Sequence, residues 1–205
     1  MGETMAQTEQ DFNPFDLGYF ETTELRQFGF KSVGENVKIA KNCTIIGLSN
    51  ISLGNNIRID SNVIIAAYSG FLELGNYTFI GGGCYLGCAG GVNLLDFSTL
   101  AQGVRIFTGS DDYSGKYLTN STIPQKYLGV KIAPVMLERH VIVGSGTVVL
   151  PGVTIGTGSS VGAMSLVTKS IDDWGIYCGS PVKRLKPRSK EILALEKELF
   201  TEISR

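Results

Sequence analysis

The sequence predicts an all-β chain wound into a left-handed parallel β-helix, and three observations carry that prediction. An aliphatic residue recurs every six positions, at Leu53, Ile59 and Ile65, at Leu74, Ile80 and Leu86, and in a long run from Leu137 through Val143, Val149, Ile155 and Val161 to Val167. The fifth residue of these hexads is small or β-branched, as at Ile57, Val63, Thr78, Cys84, Val141, Thr147, Val153, Ser159 and Ser165. The second is often glycine, as at Gly54, Gly75, Gly81, Gly144 and Gly162, and the 26 glycines of the 205 residues far exceed the usual share of ~7%.

A period of six matches neither the helical 3.6 nor the strand period of two. Short strands broken by corners account for it. The aliphatic and fifth residues point inward, Gly, Asn and Asp make the corners, and stacked coils bury one apolar column. A sandwich of short strands would return every ~8–12 residues instead. After Leu86 the phase shifts, and Leu95, Thr99 and Ala101 are assigned to the inward row of the next coil.

Three segments depart from the repeat, and they divide the chain into a non-repeat segment 1–30, a β-helix 31–180 and a C-terminal part 181–205. The first predicts a short helix over Thr22–Phe28, ended by Gly29. The stretch 107–134 is too polar for a coil and predicts an extruded loop. After Gly179 a basic stretch leads into EILALEKELFTEI. Its Ile192, Leu195, Leu199 and Ile203 follow helical spacing and predict an amphipathic C-terminal helix docked on the coil or on a neighbouring subunit.

Composition narrows the partners. A net charge of -1 with 18% charged residues gives no field for nucleic acid or an anionic membrane surface. No apolar run approaches the ~20 residues of a membrane span. The opening MGETMAQTEQDF lacks the apolar centre of a secretory signal, so the expectation is a cytoplasmic protein. Cys43, Cys84, Cys88 and Cys178 lack the spacing of a tetrahedral metal shell and read as small core fillers, so no metal is expected.

The stretch Val143–Arg188 resembles the signature end of the hexapeptide-repeat acyltransferases. It carries LPGVTIG at 150–156, then Gly162-Ala163-x-Ser165-x-Val167-Thr168-Lys169, then Gly179-x-Pro181-x-Lys183, in the family's order and spacing; the last block closes on Leu185-Lys186 in place of Ile-Arg. The hexads extend the resemblance from Val33 to Val167 and the closing motif takes it to Lys186. GFKSVGENVKI, NNIRID and SDDYSG (29–39, 55–60 and 110–115) resemble the branch of sugar acetyltransferases found with surface-polysaccharide genes. The resemblance implies a homotrimer with three acetyl-CoA sites between adjacent coils, lined by Ser145, Ala163, Thr168 and Lys169. Chemistry supports a donor site independently, because residues 183–190 hold Lys183, Arg184, Lys186, Arg188 and Lys190 and no acid. Such a cluster suits the phosphates of coenzyme A through charge-assisted hydrogen bonds, and Lys183 and Lys186 are the cations assigned to it.

Acetyl transfer to a hydroxyl needs a base, and histidine is best matched at neutral pH. The family commonly places one in the extruded loop, where this chain reads Thr108-Gly109-Ser110-Asp111-Asp112-Tyr113. The single histidine, His140, occupies an outward hexad position and is the expected general base, with Asp111 or Asp112 orienting its ring. Tyr113 and Asn120 are the expected sugar ligands. One histidine per chain excludes a carbonic anhydrase on this scaffold, which needs three per zinc. The leading expectation is an acetyl-CoA-dependent acetyltransferase acting on a sugar hydroxyl of a polysaccharide or O-antigen precursor, small-molecule sugar or nucleotide sugar. N-acetylation of an amino sugar or nucleotide amino sugar, and an inactive β-helix scaffold, are the alternatives.

Overall fold

A computed structural model describes residues 13–204, so the opening segment read for a secretory signal lies outside the described residues. The chain winds a parallel β-helix of about seven turns, closed by a C-terminal helix. Each of the first six turns contributes one short strand to each of three sheets, and the last contributes to sheet 1 alone. Sheet 1 has nine strands, from Tyr19–Glu21 at one end to Lys183–Pro187 at the other. Sheet 2 has six, bounded by Ser32–Val33 and Thr154–Ile155, and sheet 3 has six, bounded by Thr44–Ile46 and Leu166–Val167. Within a turn the chain visits sheet 2, then sheet 1, then sheet 3.

The ladder between turns decides which side chains point inward. Leu94 stands level with Leu74 below and Leu137 above, all in sheet 2. All three are buried, as are Ile59, Ile80, Leu100, Val143 and Val161 in sheet 1 and Ile65, Leu86, Ile106 and Val149 in sheet 3. This corrects the phase expected from the sequence for the fourth turn. Leu94, Ser98 and Leu100 form its inward row, whereas Leu95 is 39% exposed. The dipeptide Leu94-Leu95 is ambiguous by composition, and only register against the neighbouring turns resolves it, because a slip of one residue turns every side chain to the opposite face.

Both ends are sealed by antiparallel strands that the hexad period does not announce. Tyr19–Glu21 pairs antiparallel with Val37–Ala40 at the first turn. Lys183–Pro187 pairs antiparallel with Gly175–Cys178 at the last. The early helix, α1, is shorter than expected and spans Thr22–Leu25, with turns continuing to Gly29 at φ 89°. Helix α2, Ile192–Ile203, forms where the spacing predicts it. The loop also forms, but its roots are tighter than expected: Arg105–Phe107 remains a strand of sheet 3, Thr108 is fully buried, and Val135–Leu137 is already sheet 2. Among the cysteines, Cys84 and Cys88 fill the core, while Cys43 and Cys178 are only partly buried.

The corner between sheets 1 and 3 is packed backbone on backbone. A Cβ at Gly144 would lie 2.5 Å from the Ala163 nitrogen and 2.8 Å from the Gly162 carbonyl carbon, so the two turns can stack only without it. Gly144→Ala should therefore lower stability by about 1–3 kcal/mol, as overpacking does. Gly109→Ala, where a Cβ meets nothing within 4 Å, should leave the melting temperature unchanged. Equal melting temperatures for the two variants would contradict this packing.

Candidate functional site

The corner from sheet 3 to sheet 2 carries the loop. Thr108 fixes its root: the hydroxyl donates to the Gly87 carbonyl and accepts from the Gly90 N–H at 2.8 Å. Gly109–Ser110 and Lys131–Ile132 then leave together as an antiparallel pair, so the loop projects as a ribbon rather than a free coil. Between this ribbon and the corners of the two preceding turns lies a cleft of about 580 Å³, walled by Tyr68, Asp111, Asn120, Leu128 and Ile132 among others.

The two loop aspartates have different tasks. Asp111 faces the cleft and accepts the Asn120 N–H at 3.4 Å. Asp112 is used within the loop, accepting the Ser114 hydroxyl at 2.9 Å and the Lys116 N–H at 3.1 Å. These bonds, Ser114 first, favour the ionised carboxylate and hold its pKa below the usual range. Asn120 shares the cleft with Asp111, and its side-chain carbonyl is taken by Thr122, which leaves the amide N–H groups to offer. Tyr113 is 93% exposed and does not line the cleft, contrary to expectation, because the Asp112–Lys116 turn carries it away from the loop root. Sequence reasoning missed Tyr68, Ser69 and Ser121, which belong to turns or loop positions outside every motif.

His140 is in a different place. It points out of the coil as its hexad position requires, but α2 lies over it and leaves it 8% exposed. It sits at a corner where the backbone of successive turns is left-handed, at Tyr77 (φ 56°), Phe97 (φ 61°), His140 (φ 60°), Gly158 (φ 66°) and Trp174 (φ 52°). Its ring stacks on Phe97 with centroids 4.9 Å apart, and Phe97 stacks equally on Tyr77. Its Nε2 meets Glu196 Oε2 of α2 at 2.9 Å, and Arg139 pairs with the other oxygen of that carboxylate. The expected pairing of His140 with Asp111 or Asp112 is thus corrected: its carboxylate partner is Glu196. The sequence could not supply this, since Glu196 reaches the ring only after the chain doubles back 56 residues later.

The expected donor residues occupy both edges of sheet 3 in the last turns. Ser145 and Ala163 stand on the corner from sheet 1 to sheet 3, with Ser145 Oγ 3.4 Å from Gln102 Oε1. Thr168 and Lys169 stand on the opposite corner, which is also the corner of the cleft, two strands along sheet 3 from Thr108. At ~4.8 Å per strand this is ~10 Å. Lys183 and Lys186 lie exposed on the closing strand. Arg188 does not join them. Its Nη1 donates to the carbonyls of His140, Gly158 and Ser159 at 2.8, 3.0 and 3.3 Å, tying the closing strand to the corner. Lys190 lies over the Trp174 ring, 5.3 Å from its centroid. With Arg188 and Lys190 engaged in this way, fewer cations of this stretch are free than the sequence offers.

The Asp112 turn gives a direct test. A carboxylate whose folded pKa is lowered stabilises the fold above its unfolded pKa and loses that contribution as pH falls through the folded value. The Lys116 amide resonance should therefore titrate with a midpoint below the ordinary ~3.9 of aspartate. A midpoint at or above that value would remove the assigned hydrogen bonds.

Comparison with known proteins places this geometry. A family model described as bacterial transferase hexapeptide (six repeats) matches residues 134–169. The chain is 35% identical over 180 residues to dTDP-4-amino-4,6-dideoxy-D-glucose acyltransferase of Escherichia coli, covering 88% of this chain and 94% of that protein. Among solved structures, AntD, an N-acyltransferase from Bacillus cereus in complex with dTDP and 3-hydroxybutyryl-CoA, aligns at a TM-score of 0.87 and 38% identity, covering 92% of this chain and 99% of that one. A variant of the same enzyme with dTDP-4-amino-4,6-dideoxyglucose and coenzyme A aligns equally well, at 39% identity over 90% of this chain and 98% of that one. Coverage of about nine-tenths of the chain at this identity, with the hexapeptide match, shows that the chain belongs to the hexapeptide-repeat acyltransferase family.

Proposed function

We propose that the protein transfers an acyl group from coenzyme A to the amino group of a nucleotide-linked amino sugar. This reading replaces the sugar hydroxyl first expected. The observation that carries it is the likeness over nine-tenths of the chain to nucleotide-amino-sugar acyltransferases, together with a cleft in which, among the described residues, the one carboxylate is Asp111 and no imidazole is present. A hydroxyl must lose its proton as it attacks, and a carboxylate is a poor base for it. A neutral amine already holds a nucleophilic lone pair and sheds its proton after attack, when it has become strongly acidic. Asp111 can orient the amine and accept that proton. The thioester carbon–sulfur bond then breaks, and the sulfur leaves as the coenzyme A thiolate.

The donor runs along the cleft corner in this reading. Lys169 and Thr168 hold the phosphate end, and the thioester reaches the cleft where Asp111 waits; Lys183 and Lys186 stand on sheet 1, away from this corner, and add charge only from a neighbouring subunit. Ser145 and Ala163 lie on the far edge of sheet 3 and fit the same cofactor only across a subunit boundary. The outer face of sheet 3 is suited to that boundary. Ile46 and Ile64 are 49% and 41% exposed there, beside partly buried Tyr85, Phe107, Val148 and Leu166. A homotrimer joined along this face would bring one protomer's Ser145 edge against its neighbour's Lys169 edge.

In this reading His140 is a positioning residue. It anchors α2, and through Arg188 the closing strand, rather than touching the acceptor.

Two sets of variants test the assignment. With acyl-CoA and a dTDP-linked 4-amino sugar, Asp111→Asn should lower turnover by ~10²–10⁴ with coenzyme A affinity little changed. His140→Ala should cost about 2 kcal/mol of stability by removing the ring stacked on Phe97 and one of the two partners of Glu196, with turnover at low temperature nearly intact. The opposite pattern, a stable but inactive His140→Ala beside an active Asp111→Asn, would return the base to the imidazole. For assembly, the native chain should scatter light as a trimer and Ile64→Glu as a smaller species. A native monomer at micromolar concentration would remove the shared donor site.

A further inference from the structure

We propose that Tyr68 is the stacking platform for the nucleobase of the acceptor, and that it selects nucleotide-linked over free amino sugars. This rests on the acceptor class just assigned. Tyr68 follows the buried Ala67 at the cleft corner and is 69% exposed, although the turn that carries it is tightly packed. It lines the cleft of about 580 Å³, and its other side borders a smaller pocket of about 160 Å³ on the outer face of sheet 3. Several other aromatic side chains on the coil surface are paired. Tyr85 meets Phe107 at 5.3 Å, and Tyr77, Phe97 and His140 stack in a column under α2. Among the described residues no second ring and no cation stacks on Tyr68.

The cleft around it is matched to a nucleotide-linked sugar. Its volume lies in the ~300–1,000 Å³ range of sites for drug-sized ligands, more than one hexose ring fills. A nucleotide sugar carries an aromatic base at one end and, here, an amine at the other. The cleft offers an aromatic face at Tyr68 and a carboxylate at Asp111 on separate elements, a coil corner and the loop. Between them Ser69, Asn120 and Ser121 supply polar groups for base edges or sugar hydroxyls, and Val130 and Ile132 supply an apolar wall. Every base has a π-face, and truncating an aromatic side chain on which a base stacks weakens binding by ~10–100-fold.

Calorimetry on the full chain with dTDP as the probe tests this, with coenzyme A titrated in parallel. Tyr68→Ala should weaken dTDP by ~10–100-fold and leave coenzyme A unchanged, whereas Tyr68→Phe and Tyr68→Trp should stay within a few-fold of the native protein. In turnover, Tyr68→Ala should raise KM for the nucleotide-linked acceptor at nearly constant kcat and erase the preference over the free amino sugar. Unchanged dTDP affinity in Tyr68→Ala overturns the proposal. So does a loss of dTDP binding that appears only together with disassembly in light scattering, which would make Tyr68 a subunit contact. A native protein that binds coenzyme A but not dTDP would instead sink the nucleotide-linked acceptor class itself.

Discussion

Everything in this molecule depends on the hydrogen-bonded register between successive turns. A six-residue hexad is too short to bury its own apolar side chain, so each turn is stable only against the ones above and below. The parallel ladder fixes Leu94 level with Leu74 and Leu137, and by the same alignment places Thr108 above Gly87, within reach of Gly90. One set of bonds thus settles both which residues form the core and where the loop leaves the coil.

The corners are the costly part of this arrangement. Left-handed backbone disfavours residues with a Cβ, and most of the tight corners where the three sheets meet use one residue in that conformation. At the corner between sheets 2 and 1 the chain meets this requirement with large rings at Tyr77, Phe97 and His140 rather than with glycine alone. Stacked rings and the apolar side of α2 offset the backbone strain there. The same choice explains why the only histidine is held under a helix, with Glu196 and Arg139 around it, instead of facing the cleft of the loop. The polar loop, by contrast, is stabilised by its own short-range bonds, at Asp112–Ser114 and Asn120–Thr122, and can present Asp111 to a cleft without disturbing the coil.

An acyltransferase with a carboxylate rather than an imidazole at its acceptor cleft is chemically suited to amines. A basic nucleophile needs orientation and a late proton acceptor, and an aspartate on a rigid ribbon supplies both. The absence of histidine from the loop, which first directed attention to His140, therefore accords with the amine acceptor proposed above.

By itself the sequence determined the coil, the loop and the C-terminal helix, because each is written in local periodicity. Aliphatic residues every six positions, a polar interruption and a helical spacing of three and four are all properties of neighbouring residues. It also determined the family, through motifs that lie close together between Gly144 and Lys186. Only the tertiary structure decided the phase of Leu94 over Leu95, the end-sealing antiparallel strands, the diversion of Arg188 to backbone carbonyls, and the separate tasks of Asp111 and Asp112. It alone joined His140 to Glu196 and set Tyr68 opposite the loop. These pairings span tens of residues and carry no local period. They depend on which turn stacks above which, and the stacking exists only once the whole column has closed.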